Sequence, residues 1–238
     1  MDTIAFFWIG DDINIPQNLV RSIRLVMGNN INIVQLTNFH TQKIEGVNSV
    51  KHFKLSRQIM IARLEAYSKF ETETDNTFFC DTDTIFVNKL TIPSSSDKKI
   101  YLSPRHQNFK INYNYPEFYE EFVGKTLNEV MPFLFCAILT KGNQQTFFNN
   151  LLDVCVNLPE RFHRWYGDQY ALFLYTKNSL ESFDFLDPNI YQYEVRKPLL
   201  KENLKNIISK NIQMLHFKGP YSKVHIPRSV GLLAELHK

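Results

Sequence analysis

Short apolar runs alternate with stretches of helical periodicity along most of the chain. Thr3 to Ile9, apolar after its first residue, reads as a strand buried on both faces. Gly10-Asp11-Asp12 turns the chain, Pro16 suits the first turn of a helix running to about Met27, and Gly28-Asn29-Asn30 stops it. Ile31 to Leu36 is a second strand, so this order predicts a parallel crossover unit. A second helix spans Ser56 to Phe70, with Ile59, Ala62, Ala66 and Phe70 at helical spacing. After the acidic loop Glu71 to Asn76, the apolar run Thr77 to Cys80 ends in Asp81-Thr82-Asp83, and a second run, Thr84 to Val87, begins at once. The fold class predicted is α/β: a mixed, mostly parallel sheet flanked by helices. Such sheets hold ligands beyond the carboxyl ends of their strands, where Gly10 and Asp81 both fall.

Downstream the pattern predicts strands at Ile100 to Ser103 and Phe133 to Thr140, and a helix over Gln144 to Val156. Arg105 to Tyr119 reads as a long loop or lid whose Phe109, Tyr113, Tyr115, Phe118 and Tyr119 suit either stacking on a glycan or the base of a lid. Arg161 to Trp165 is a basic-aromatic loop, and Gly167-Asp168-Gln169 opens a helix through Thr176. Short strands are expected at Phe183 to Leu186 and Ile190 to Val195, and a helix at Leu199 to Ser209. A last strand, Ile212 to Phe217, carries His216, and a tail helix covers Ser229 to His237. No repeat or linker interrupts the 238 residues, so one domain is expected.

Composition narrows the class. Twenty Phe and eleven Tyr against eight Gly exclude a disordered or low-complexity chain. A net charge of +3 gives no ground for a nucleic-acid partner. Cys80, Cys136 and Cys155, odd in number and in apolar surroundings, read as reduced core thiols of a cytoplasmic protein. No run reaches the length of a membrane span. Lys197, Lys201, Lys205 and Lys210 form a solvated helix face that anionic headgroups would also attract, which leaves peripheral membrane contact as an expectation.

Asp81 and Asp83 carry the chemistry. On an extended strand their side chains point the same way, and adjacent carboxylates repel unless one is protonated or a cation lies between them. A divalent cation answers this; a solvated turn between two strands is the plainer alternative.

Four features in order resemble the metal-dependent sugar-nucleotide glycosyltransferases of the GT-A fold, particularly the glycogenin-like retaining enzymes. They are Ala62-Arg63-Leu64, Asp81-Thr82-Asp83, Gly167-Asp168-Gln169 and His216-Phe217-Lys218-Gly219. The opening Phe7-Trp8-Ile9-Gly10 with Ile15-Pro16 is similar to the capsular- and mannosyl-type DXD sugar-binding group. Three departures stand out. Lys223 falls one residue later than the family's lysine, Cys136-Ala137-Ile138 replaces an Asn-Ala-Gly, and the acidic loop replaces a Gly-Gly.

The resemblance implies a single GT-A (Rossmann-like) domain, with a nucleotide-binding half over about 1–105 and an acceptor-binding half over about 106–238. It implies transfer of a hexose from a nucleotide diphosphate sugar, UDP-linked by preference, to an oligosaccharide or glycolipid acceptor in polysaccharide synthesis. Asp81, Asp83 and His216 would hold Mn²⁺ or Mg²⁺, or Asp83 and His216 alone with Asp81 on the ribose. Arg63, Lys218, Gly219 and Lys223 would receive the phosphates, and Trp8, Gly10 and Asp11 the nucleotide. Asp168 and Gln169 would stand beside donor sugar and acceptor, although capping of their own helix is an equally plain role. In a retaining reaction the departing phosphate takes the acceptor's proton; in an inverting one Asp168 is the candidate base.

Two rival readings remain at this level. Asp81-Thr82-Asp83-Thr84 also matches the opening of haloacid-dehalogenase-like phosphatases, with Thr140 as a second motif, but no late acidic pair follows Asp168. A binding module that holds a glycan or nucleotide without turnover is the other.

Overall fold

The computed structural model describes residues 2–93, 97–106, 108–112 and 120–237. Strands are β1 (Thr3–Phe7), β2 (Asn32–Thr37), β3 (Ser49–His52), β4 (Asn76–Cys80), β5 (Thr84–Phe86), β6 (Ile100–Pro104), β7 (Phe133–Lys141), β8 (Asp184–Phe185), β9 (Tyr193–Glu194) and β10 (Met214–His216). Helices are α1 (Asn14–Met27), α2 (Ile59–Lys69), α3 (Leu127–Val130), α4 (Gln145–Val156), α5 (Gly167–Thr176), α6 (Pro188–Tyr191), α7 (Lys201–Ser209), α8 (Pro220–Lys223) and α9 (Ile226–Leu236).

Seven strands form one sheet in the order β3-β2-β1-β4-β7-β6-β8. β7 runs antiparallel to both neighbours; the other pairings are parallel. The β1-α1-β2 crossover expected from the apolar pattern is present, and the sheet is mixed but mostly parallel. β5, β10 and β9 form a second, small sheet.

Strand alternation divides the interior into two layers. Ile4, Phe6, Phe78 and Cys80 face α1, α9 and the small sheet. Ala5, Phe7 and Phe79 face α2, α4 and α5. Tyr67 on α2 meets Phe79, Phe135 and Phe148 at ring-centroid distances of 4.6, 5.9 and 5.3 Å, which ties that layer to the sheet.

Two elements differ from the sequence pattern, and a third takes one of the two conformations open there. β3 was not predicted: Ser-Val-Lys-His is polar and half-exposed at the sheet edge, with no apolar alternation to mark it. The Ile190 to Val195 run is split because Asp187 accepts from the Asn189 amide at 2.9 Å and Pro188 opens α6, leaving only Tyr193–Glu194 extended. Finally, Asp81 to Asp83 is a turn between β4 and β5, the plainer of the two backbone readings open from the sequence.

The three cysteines are free and buried. Among the described residues, no helix is long and apolar enough to cross a membrane. Two of the four lysines expected on a solvated face are paired within the protein, Lys201 with Glu235 and Lys205 with Glu202. Tyr113, Tyr115, Phe118 and Tyr119 lie outside the described residues.

Candidate active site

The site begins where β4 ends. β1 and β4 are parallel neighbours, with Phe6 opposite Cys80, so Gly10 and Asp81 both lie past the carboxyl edge of the sheet. Asp81 is anchored by its amide to the Cys136 carbonyl at 3.2 Å. Its place in the alternation follows Phe79, toward α2, and Arg63 on α2 meets it there: Nη1 donates to Asp81 Oδ1 at 2.6 Å. Thr84 Oγ1 donates to the Asp81 carbonyl at 2.7 Å and closes the turn.

The turn carries the chain across to the small sheet. β5 and β10 pair antiparallel with Thr84 opposite His216, and the Phe217 amide donates to the Asp83 carbonyl at 2.9 Å. This register delivers His216 to the paired acids. Asp81, Asp83 and His216 each offer a ligand atom, all within 4.8 Å of one another. His216 Nε2 stands 3.6 Å from Asp83 Oδ1, an oxygen that is buried with no hydrogen-bond partner among the described residues. An orphaned carboxylate oxygen beside an imidazole and a second carboxylate is the donor set a hard or borderline divalent cation takes, so the residues fit a metal.

Protein cations already balance part of the charge. Lys223 Nζ lies 2.8 Å from Asp83 Oδ2. Arg63 uses its other nitrogen, Nη2, on Asp168 Oδ2, and its guanidinium stacks over the Phe135 ring at 4.9 Å. Burial works against the charge on Arg63, but Asp168 and Asp81 outweigh it and hold the group above its ordinary value. Burial likewise pushes the Asp81 carboxyl above the usual carboxylate range, with Arg63 opposing.

Asp168 is fully buried. Its Oδ1 accepts from the Gln169 amide at 2.7 Å, so the carboxylate serves the helix start and Arg63 together. Tyr166, the residue before α5, has φ 60°, an unusual left-handed backbone for a tyrosine. Gly167 has no room for a side chain: a Cβ would come 2.2 Å from the Phe162 carbonyl oxygen. Gly167→Ala therefore displaces the backbone that carries Asp168. We expect a loss of about 1–3 kcal/mol in a denaturant melt, the usual cost of overpacking; a melt unchanged from the wild type would contradict this contact.

The remaining predicted residues are spread around the same edge. Gly10 and Asp11 line a cavity of about 610 Å³ together with Phe39, Phe53 and Ser56, at the carboxyl ends of β1 to β3. Trp8, by contrast, packs against the core and is not part of that lining. Gly219 adopts φ 80°, a conformation that favours glycine, ahead of α8, the short helix that carries Lys223. Lys218 lines a second, much smaller cavity against His216. Burial and the nearby Arg105 pull its amine down to about 8.

Arg105 is the site residue that the motifs did not mark. It is 6% exposed. Its Nε donates to the Met131 carbonyl at 2.8 Å and its Nη2 to Gln169 Oε1. Arg105 follows β6 directly, the position that Asp81 holds relative to β4, but the predicted strand stopped at Ser103 and left Arg105 in the loop. Gln192 and Glu194, which line the small cavity beside His216 with Lys218, were also unmarked, because the apolar run around them hid a break between helix and strand.

No family model matches the chain, and no curated protein matches it in sequence. Solved structures do match. A glycosyltransferase involved in glycosylation of the major capsid of PBCV-1 aligns over 96% of this chain and 98% of its own, with a TM-score of 0.60 at 10% identity. The glycosyltransferase GlyE of Streptococcus pneumoniae TIGR4 aligns over 99% of this chain and 63% of its own, with a TM-score of 0.59 at 15% identity. The galactosyltransferase LgtC, solved with donor and acceptor sugar analogs, aligns over 99% of this chain and 96% of its own, with a TM-score of 0.55 at 13% identity. The chain thus has the GT-A-type fold of these glycosyltransferases.

Proposed function

We propose that this protein transfers a hexose from a nucleotide diphosphate sugar, UDP-linked by preference, to a saccharide acceptor, with retention and with a divalent metal, Mn²⁺ before Mg²⁺. The observation that carries this reading is the meeting of Asp81, Asp83 and His216 past the carboxyl edge of the sheet, the same edge at which Gly10 and Asp11 line a cavity of about 610 Å³. When bound, the ion supplies Lewis-acid stabilisation of the negative charge that develops on the departing diphosphate. The imidazole in the donor set favours Mn²⁺ over Mg²⁺.

The chain's own residues divide the remaining work. Gly10 and Asp11 bound the nucleoside cavity, and Phe39, 67% exposed and stacked at 5.8 Å on His52, offers it an aromatic face. Lys223, with 35% of its side chain exposed beside Asp83, is the cation best placed to meet phosphate oxygens. Arg63 acts as a positioning residue, since its two terminal nitrogens, Nη1 and Nη2, are engaged by Asp81 and Asp168.

Retention is favoured by the state of Asp168. Both of its oxygens are occupied, one by the Gln169 amide and one by Arg63, and the side chain is shut off from solvent. A carboxylate so held is poorly suited to take a proton from an acceptor hydroxyl, which leaves the leaving phosphate as the natural base. Gln169, half-buried and fixed by Arg105, is the residue available to face the transferred sugar. The three reduced cysteines agree with a cytoplasmic setting.

A thermal-shift series tests the reading. UDP-, GDP- and CDP-sugars are each added with and without Mn²⁺. A ligand at about 100 times its Kd stabilises by about 2.7 kcal/mol, and we expect such a shift only with Mn²⁺ and a UDP-sugar together. Absence of any shift across the series would overturn the proposal, and a metal-dependent shift with a GDP- or CDP-sugar would correct the donor alone.

A further inference from the structure

The cavity of about 610 Å³ has a tightly bonded wall at residues 38–41, just past the end of β2. Asn38 Oδ1 accepts from the His40 amide, the Thr41 amide and the Thr41 hydroxyl, each at 3.0 Å. Backbone amides can only donate, so they fix which arm of the carboxamide is the oxygen. The NH₂ arm therefore lies outside this turn, and it has no partner among the described residues. The wall is tied to the neighbouring strand as well. The Gly10 amide, past the end of β1, donates to Thr41 Oγ1 at 3.1 Å, and Thr41 is buried.

Phe39 is held by the same stretch. His52 Nδ1 donates to the Asn38 carbonyl at 2.8 Å, since a carbonyl can only accept. The His52 ring in turn stacks on Phe39 at 5.8 Å and 15°. A base resting on the exposed Phe39 ring is thus one residue away from the Asn38 NH₂. Stacking tolerates any base because each has a π-face, whereas a fixed donor distinguishes one base edge from another.

The other polar groups of the lining discriminate less. Lys54 and Arg57 are long, exposed cations that respond to charge and not to the pattern of a base edge. The Ser56 hydroxyl can donate or accept. The exposed Asp11 carboxylate accepts from the ring N–H of uracil and from the amino group of cytosine alike. The Gly10 amide and the Thr41 hydroxyl are already spent on the wall. Asn38 is left as the fixed side-chain donor that can tell bases apart.

We propose that Asn38 selects the base of the donor: its NH₂ donates to the 4-carbonyl of uracil, where cytosine presents an amino group that cannot accept. The assignment rests on the transferase reading above and deepens it by naming the residue behind the UDP preference. A cytosine in the same place leaves two donors facing each other, both unpaired. Selection therefore comes from the penalty on cytosine as much as from the bond to uracil.

The test titrates UDP and CDP by calorimetry into protein saturated with Mn²⁺. Their riboses and diphosphates are identical, so the ratio of the two affinities isolates the base. Wild type should bind UDP at least about tenfold more tightly than CDP, the scale of one hydrogen bond. Asn38→Asp keeps the oxygen that the turn amides need and makes the donor arm an acceptor. Its added charge weakens both nucleotides alike and cancels in the ratio, which should collapse or invert in favour of CDP. Asn38→Ser keeps an acceptor for the turn, adds no charge and has no NH₂, and it should abolish the preference too. Equal binding of UDP and CDP to wild type would overturn the assignment, as would a preference that survives intact in either variant. Wild type that binds neither nucleotide with Mn²⁺ would sink the donor reading and the role of Asn38 with it, whereas UDP binding without base preference would sink the role of Asn38 alone.

Discussion

Replacing Arg63 by methionine is expected to lower the unfolding free energy by about 3–5 kcal/mol, the usual result of stranding a buried charge. The substitution leaves two carboxylates without their shared cation. Asp168 is the more costly of the two, because it is fully shut off from water while Asp81 keeps 27% of its side chain exposed. Methionine retains most of the packing against Phe135, so the loss reports charge more than volume. Arg63→Lys should recover only part of the loss, since a single ammonium cannot reach both acids with the geometry of a guanidinium fork.

Two further readouts tie this loss to the carboxylates. In a double-mutant cycle, adding Asp168→Asn to Arg63→Met should recover stability, a coupling that independent sites do not show. The pH dependence has a definite sign. Burial holds the Asp81 carboxyl above its ordinary value and Arg63 opposes that shift, so without Arg63 it rises further above its unfolded value near 3.9. Its charged form then costs stability at neutral pH, and that cost shrinks as pH falls toward the folded pKa. The gap between Arg63→Met and wild type in urea melts should therefore be narrower at pH 5 than at pH 7. A loss below about 1 kcal/mol, the range of exposed ion pairs, would mean that Arg63 is not the keystone described here.

How much of this was legible in the sequence depends on the distance over which each fact is decided. The β1-α1-β2 unit, the β4 run and the α5 start are local: apolar phase, Pro16, Gly28 and Gly167 mark them within a few residues. The edge strand β3 was hidden because an edge needs no apolar alternation. The turn at Asp81 to Asp83 was visible only as one of two alternatives. Each flanking run reads as strand, and only the choice of partners, β7 for β4 and β10 for β5, breaks the line between them. The proximity of His216 to Asp83 is decided by that same pairing across more than a hundred residues. The sequence offered a histidine after a strand, and the register put it beside the acids. Arg63 was marked by its motif, but its bridge from Asp81 to Asp168 depends on three elements meeting, which no local pattern carries.

The metal set yields a pair of effects with opposite signs. Asp83→Asn keeps the shape of the side chain and removes its charge, and it should weaken Mn²⁺ binding by about 100-fold or more and lower transfer at least as far, the scale on which loss of one oxyanion-stabilising partner acts. Folding should hardly notice, because the Asp83–Lys223 pair is partly exposed and such pairs contribute about 0–1 kcal/mol. Lys223→Met acts on the other side of the same contact. With Lys223 Nζ 2.8 Å from Oδ2, a cation that engages this carboxylate competes with the ammonium, so removing the lysine should tighten Mn²⁺ binding in the absence of nucleotide. With UDP present the sign should reverse, because a positive charge for the phosphates has been lost. Calorimetric or electron-paramagnetic titration of Mn²⁺ reads both effects without any turnover. Wild-type Mn²⁺ affinity in Asp83→Asn would remove Asp83 from the ligand set. A Lys223→Met protein that binds free Mn²⁺ less tightly would show that the lysine supports the metal site instead of guarding it.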